Sequence, residues 1–269
     1  MQQNCKRYAL VTGGSSGMGL EYVKMLAERG YNVIIVALFQ HETDEVAARM
    51  AELWPDLDFL SVGMDLSSAD APRRVFETIA RERPEAEIEV LINNAGMLHA
   101  MHFRNMAPEK ISSIIMVHNH ATAMLCRYFM PSMLERGKGY IMNISSLAAW
   151  FPFPFLTTYA STKSFVRIFT RALRTECRRT GVKVCSIYFG AVDTPLVGLS
   201  PRLSRIARGI GVMITPQAAA RRALRMMFRG RSGRIPGLVN KIAWLAAPLI
   251  RPWIIGPLDH AVTKKFNLK

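Results

Sequence analysis

Tyr159 and Lys163 stand four positions apart, and Ser146 lies thirteen positions before the tyrosine (159 minus 146). On a helix, residues four apart share one face. A phenol is a poor acid near neutrality, with a free pKa of about 10. An ammonium beside it favours the phenolate, so the proton leaves more readily. A serine hydroxyl nearby can hold a carbonyl oxygen while that proton moves. With a hydride carrier next to them, these groups could reduce a ketone or oxidise a secondary alcohol. Alone, a Tyr-x-x-x-Lys pair on a basic, helix-rich chain is usually a surface accident. The chemistry therefore depends on the elements that surround the pair.

Those elements alternate. Residues 8–12 are a short apolar run, followed by Gly13-Gly14-Ser15-Ser16-Gly17-Met18-Gly19 and a helical pattern through Leu20, Tyr22, Val23, Leu26 and Ala27. In a strand, glycine turn and helix of this kind, glycines let the backbone approach a pyrophosphate. The helix N-terminus then offers it free N–H groups. An ordinary glycine-rich turn is the competing explanation. Residues 33–37 read as a buried parallel strand. The end of such a strand meets the adenosine ribose, where an acid binds the 2′-hydroxyl of NAD and an arginine favours the 2′-phosphate of NADP. Ala37, Leu38, Phe39, Gln40 and His41 supply neither, which leaves the cofactor choice open.

Further strands are expected at 59–62, 90–92, 139–144 and 182–188, and helices at 45–54, 71–82, 109–133, 159–179 and 216–229. The strand ends carry Asp65-Leu66-Ser67, Asn93-Asn94-Ala95-Gly96, Ser145-Ser146 and Phe189-Gly190-Ala191-Val192-Asp193-Thr194. Asparagines in such turns can tie loop backbones together. In an open parallel sheet, ligands bind beyond the carboxyl ends of the strands, where Ser146 would stand. His118-Asn119-His120 interrupts the long apolar helix expected at 109–133, and buried polar groups need partners or a task. The aromatic run 150–155 suits either a pocket wall or core filling. Segment 196–215 is poorly periodic and is a candidate lid. The pattern predicts an α/β fold of Rossmann type: a doubly wound parallel sheet with right-handed connections. Residues 1–234 would form one dinucleotide-binding catalytic domain, and 235–269 an apolar and basic extension.

Composition narrows the field. The chain has 269 residues, half of them hydrophobic, which is enough for a substantial core. It holds no uninterrupted apolar run of about 18 residues and opens without a signal-peptide pattern. Cys5, Cys126, Cys177 and Cys185 lack metal-ligand spacing and read as reduced thiols of a cytoplasmic protein, with no metal expected. The net charge of +15 is uneven: residues 194–258 contain no acid and eleven bases. Phosphate-bearing ligands, anionic lipid or nucleic acid would suit that surface, as would a plain solvated face. No nucleic-acid module or aromatic–basic interleaving supports nucleic acid. Trp244 and Trp253, with lysine and arginine nearby, suit a membrane interface, an oligomer contact or a cap over the pocket.

Over roughly residues 6–230 the chain resembles the short-chain dehydrogenase/reductases, including 3-oxoacyl and hydroxysteroid dehydrogenase-like members. Thr12, Gly13, Ser15, Ser16, Gly17, Met18 and Gly19 fall in a match to the cofactor motif Thr-Gly-x-x-x-Gly-x-Gly. Asp65 with Leu66 matches the adenine site, and Asn93, Ala95 and Gly96 match the loop beside the adenosine. Asn119, Ser146, Tyr159 and Lys163 match the catalytic tetrad. The resemblance implies that Tyr159 is the general acid and base and that Ser146 holds the substrate oxygen. Lys163 would lower the tyrosine pKa and bind the nicotinamide ribose, while Asn119 anchors a water in the proton relay. Gly190, Val192 and Thr194 would meet the nicotinamide, although Phe189 replaces the family's usual proline. The neutral positions after the second strand and the basic balance lean this resemblance to NADP. NAD stays open, because Ser16 stands where NADP-preferring members often carry a base.

The expected function is transfer of a hydride between nicotinamide and a hydrophobic ketone or secondary alcohol. Pairing through 109–133 and 159–179 into a homodimer or homotetramer is expected by resemblance. The alternatives are a dinucleotide-binding sensor or scaffold that has lost turnover, and a membrane-surface-binding protein. The intact tetrad argues against the first. Sugar-nucleotide epimerases use similar residues but need a larger substrate domain.

Overall fold

The computed structural model describes residues 6–152, 154–194 and 213–233, together with Arg205, Gly209, Asn240 and Leu245. Among the described residues, six parallel strands form the central sheet: β1 Lys6–Thr12, β2 Asn32–Ala37, β3 Phe59–Gly63, β4 Ala86–Asn93, β5 Gly139–Ser146 and β6 Val182–Phe189. Their order is β3-β2-β1-β4-β5-β6. The chain therefore winds outward in both directions from β1, and the crevice where it reverses lies between β1 and β4. A second, two-stranded sheet joins β7 Ala191–Val192 to β8 Met213–Ile214.

Among the described residues, seven α-helices cover the sheet: α1 Gly17–Ala27, α2 Gln40–Leu53, α3 Ala71–Glu82, α4 Pro108–Ile115, α5 Ala121–Glu135, α6 Thr157–Glu176 and α7 Pro216–Phe228. Alternation along β1 shows why the strands read as unbroken apolar runs. Ala9 and Val11 pack with Tyr22, Val23 and Leu26 of α1 and with Ala220, Ala223 and Leu224 of α7. Tyr8 and Leu10 pack on the other face with Val75, Ile79, Leu125, Phe129 and Leu173. A strand covered on both faces has no solvent side to carry polar residues. Each fully buried leucine here contributes roughly 2 kcal/mol by removal from water.

Two expectations need correction. The helix expected to begin at 45 starts at Gln40 and includes the acid Glu42. The single helix expected at 109–133 is two, because a π-helical turn, Met116–His120, separates α4 from α5. Such a turn inserts a residue into the α-helical ladder and reorients the side chains it carries. Of the expected lid, Met213 and Ile214 form β8, and most of 196–212 lies outside the described residues, as does nearly all of the 235–269 extension.

Candidate active site

Three elements bring the side chains to the site. The carboxyl end of β5 delivers Ser146, whose Oγ accepts a hydrogen bond from the Ala148 N–H at 3.1 Å. The first turns of α6 deliver Tyr159 and Lys163, with the Tyr159 phenol beside Ser146. Lys163 is 5% exposed and donates from Nζ to the Ile144 carbonyl at 3.0 Å. Its Nζ lies 5.8 Å from the centroid of the Tyr159 ring. The π-turn delivers Asn119, whose buried Oδ1 has no partner among the described residues. Ser146, Tyr159 and Lys163 thus meet at one end of the sheet, and Asn119 stands on the π-turn whose His118 packs on Tyr159.

Burial shapes the titration of this group. It pushes the Tyr159 phenol above its ordinary value, and the hydrogen bond with Ser146 pulls it back. It pushes Lys163 down to about 8, because a desolvated ammonium is disfavoured. The resemblance implied that Lys163 lowers the phenol. Here burial raises the phenol and Ser146 is the group that lowers it.

The glycine loop fits a dinucleotide. Gly13 and Gly17 hold φ of +65° and +53°, and a Cβ at Gly19 would drive into the Gly13 carbonyl. Ser16 stands extended and exposed at the head of α1, and its side chain caps no amide there, which leaves the helix N-terminus open to an anion. Thr194 faces Gly17, where an added Cβ would lie 3.3 Å from its methyl carbon. The segment after β6 therefore closes over the glycine loop. Val192 is buried beneath it, and a Cβ on Gly190 would meet the side chain of Asn240. Met18 packs partly buried against the core.

Several predicted cofactor residues also tie the scaffold together. The Thr12 hydroxyl accepts from the amides of Asn94 and Ala95 at 2.9 and 3.0 Å, tying β1 to the turn after β4. Asn94 completes the tie by donating to the Thr12 carbonyl at 3.0 Å. Asn93 turns inward: its Nδ2 donates to Asn143 Oδ1 at 2.8 Å, and Asn143 donates to Thr170 at 3.0 Å. This buried row joins β4, β5 and α6, so the side chain of Asn93 does not face the cleft. Asp65 is exposed at the end of β3, above buried Leu66, and accepts from the Ser67 amide at 2.9 Å. Gly96 approaches His118 and Lys163 closely. Phe155, at φ +52°, bends the aromatic loop back so that its carbonyl accepts from the Met101 amide.

Two residues escaped the sequence-based assignment. Ser15 donates to Glu42 Oε2 at 2.8 Å, which sets a carboxylate beside the glycine loop. The available signal was spacing, since Glu42 follows Gly19 by 23 positions (42 minus 19) and an acid about 20 residues past a glycine motif is a ribose contact. His118 stood out only as an interruption of a helix. In the fold it is buried against Tyr159.

The sequence profile of the short chain dehydrogenases matches residues 7–202. The chain belongs to the short-chain dehydrogenase family. The very-long-chain 3-oxoacyl-CoA reductase of Bos taurus is 32% identical over 193 residues, which are 70% of this chain and 60% of that protein. This short-chain dehydrogenase chain thus spans about six tenths of that relative's length. A short-chain dehydrogenase from Sphingobium yanoikuyae in complex with NADPH superposes with a TM-score of 0.78 at 25% identity, covering 97% of this chain and 95% of that one. A 3-ketoacyl-(acyl-carrier-protein) reductase from Brucella melitensis complexed with NADH gives 0.75 at 25% identity, covering 86% and 96%.

Proposed function

We propose that this chain is an NAD(P)-dependent oxidoreductase, with NADP the favoured carrier, that interconverts a hydrophobic, lipid-like ketone and its secondary alcohol. A 3-oxoacyl thioester or a steroid-like ketone is the favoured substrate class. The observation that carries the proposal is the meeting of Ser146, Tyr159 and Lys163, with Asn119 on the adjoining π-turn, beside a glycine loop open to an anion. The relatives named as 3-oxoacyl reductases support the substrate class, and the neighbours crystallised with NADPH and NADH support the cofactor.

The nicotinamide, when bound, supplies or takes the hydride at C4. The protein's own groups handle the proton. Ser146 donates to the substrate oxygen and fixes the carbonyl. In reduction Tyr159 gives its proton to that oxygen, so hydride and proton together turn C=O into CH–OH. In oxidation the phenolate takes the proton back. The Lys163 ammonium stabilises the phenolate left behind. The unpartnered Oδ1 of Asn119 suits an anchor for a water that returns the proton. The aromatic loop from 150 to 155 suits the wall of an apolar substrate pocket.

The test is the absorbance change of NADPH and of NADH with a panel of hydrophobic ketones and 3-oxoacyl thioesters, for the wild type and Tyr159→Phe. Oxidation by the wild type alone is expected. Equal oxidation by both enzymes would remove Tyr159 from the chemistry.

The enzyme's setting is a membrane surface on the cytoplasmic side. Arg221, Arg222 and Arg225 on α7 and Arg229 just after it are all exposed, and the acid-free stretch around them suits anionic lipid. Residues 235–269 would add an apolar anchor to the catalytic domain of residues 1–234. Flotation with anionic liposomes should weaken when 235–269 are deleted, and equal flotation would exclude the anchor. The exposed Ile115, Phe165 and Ile168 suit pairing of two copies through α4 and α6. Light scattering after gel filtration should give a dimer or tetramer, and a monomer would contradict the pairing.

A further inference from the structure

We propose that His118 is a positioning residue, which in a single neutral tautomer holds the turn after β4 at a fixed distance from α6. The cleft around Lys163 and Tyr159 keeps its width through that link. The proposal rests on the oxidoreductase function above.

The hydrogen bonds dictate the tautomer. His118 is 1% exposed, so no water shell can satisfy its ring nitrogens. Its Nε2 lies 3.1 Å from the Met97 amide, which can only donate, so Nε2 must accept. A neutral imidazole carries one proton, which then sits on Nδ1. Nδ1 lies 2.8 Å from Thr162 Oγ1, and that hydroxyl in turn donates to the Tyr159 carbonyl at 2.8 Å. The bonds run in one direction, from the Met97 amide through His118 and Thr162 to the backbone of the catalytic tyrosine.

The packing fits the same role. The imidazole meets the Tyr159 ring edge to face at 5.7 Å. Gly96 is close enough that a Cβ there would lie 3.1 Å from His118 Nε2 and 3.7 Å from Lys163 Nζ. The cofactor turn, the imidazole and the lysine therefore surround one point, and the π-turn that presents His118 also presents Asn119.

Protonation would undo the link. A second proton on Nε2 would face the Met97 amide donor to donor and add a cation near the Lys163 ammonium. Among the described residues, the ionisable groups placed against the ring are Lys163 and Tyr159 on α6, and residues 93–97 of the β4 turn bring none. Burial and Lys163 both hold His118 well below the ordinary histidine range, so it stays neutral until the medium is distinctly acid.

The test compares His118→Phe, which fills the space without hydrogen bonds, with His118→Gln, whose amide has one acceptor and a donor and cannot be protonated. kcat and KM for NADPH and a responding ketone are measured from acid to neutral pH, with Tyr159→Phe as control. Folding is checked by circular dichroism. His118→Phe should lose roughly 10- to 100-fold in kcat, as expected for a misplaced catalytic group. His118→Gln should recover most of that loss and lack the acid limb of the wild-type profile. Wild-type rates in His118→Phe, or an unchanged acid limb in His118→Gln, would overturn the proposal. If His118→Phe fails to fold, the limb in His118→Gln decides alone. Activity in Tyr159→Phe would instead sink the underlying function, so the two failures are distinct.

Discussion

The two ends of the cleft are built differently. At the catalytic end, Lys163, Ser146 and His118 are buried and held by backbone groups of β5 and of the turn after β4, with the tyrosine on the adjoining turn of α6. At the adenosine end, Ser15 and Glu42 are only partly covered and Asp65 is exposed, with Ala37 and Leu38 at the strand tip. A proton transfer needs groups fixed within a fraction of an ångström in a dry site, whereas a ribose contact tolerates solvent and movement. The catalytic end should therefore govern rate, and the adenosine end should govern which carrier is held.

The largest effect expected is in Tyr159→Phe, which should lower turnover by about 10²- to 10⁴-fold while leaving NADPH affinity near wild type. Steady-state rates and fluorescence titration measure the two separately. Gly19→Ala should break the other end. Its Cβ runs into the Gly13 carbonyl, so cofactor affinity should fall by roughly 100-fold, or the chain should lose stability measurably in thermal unfolding.

Lys163 offers a test by pH. Its folded pKa, about 8, lies below its ordinary value of 10.5, so between those values the unfolded chain binds more protons than the folded one. Stability from this group is fully present above about 10.5 and is lost as pH falls through about 8. Denaturant midpoints of the wild type should therefore rise from pH 8 towards 10.5 relative to Lys163→Met, and parallel curves would show that burial does not hold the ammonium down. The smallest effect belongs to Glu42→Gln. Removing a carboxylate beside Ser15 should improve NADPH binding relative to NADH by about three- to tenfold, on the order of 1 kcal/mol. An unchanged ratio would show that Glu42 does not face the ribose.

The catalytic end was legible in the sequence because its spacing is local. Tyr159 and Lys163 share one helix, Ser146 stands at a strand end, and glycines follow a strand, so periodicity places them and the family resemblance gives them their roles. What sequence reading missed was set by tertiary contact or by a helical irregularity. Glu42 matters because the first turn of α2 swings back to Ser15, and helix periodicity had placed the start of α2 five residues later (45 minus 40). Asn93 and Thr12 sit in a cofactor motif but spend their side chains joining strands. His118 looked like an intrusion in one long helix, because apolar periodicity does not reveal a π-turn that redirects two neighbouring side chains.

The division between the two ends is tested most directly by measuring NADPH binding and single-turnover hydride transfer on the same sample of Tyr159→Phe. An unchanged dissociation constant with transfer slowed at least a hundredfold is the predicted result. Transfer at the wild-type rate, or loss of binding in a folded protein, would contradict it.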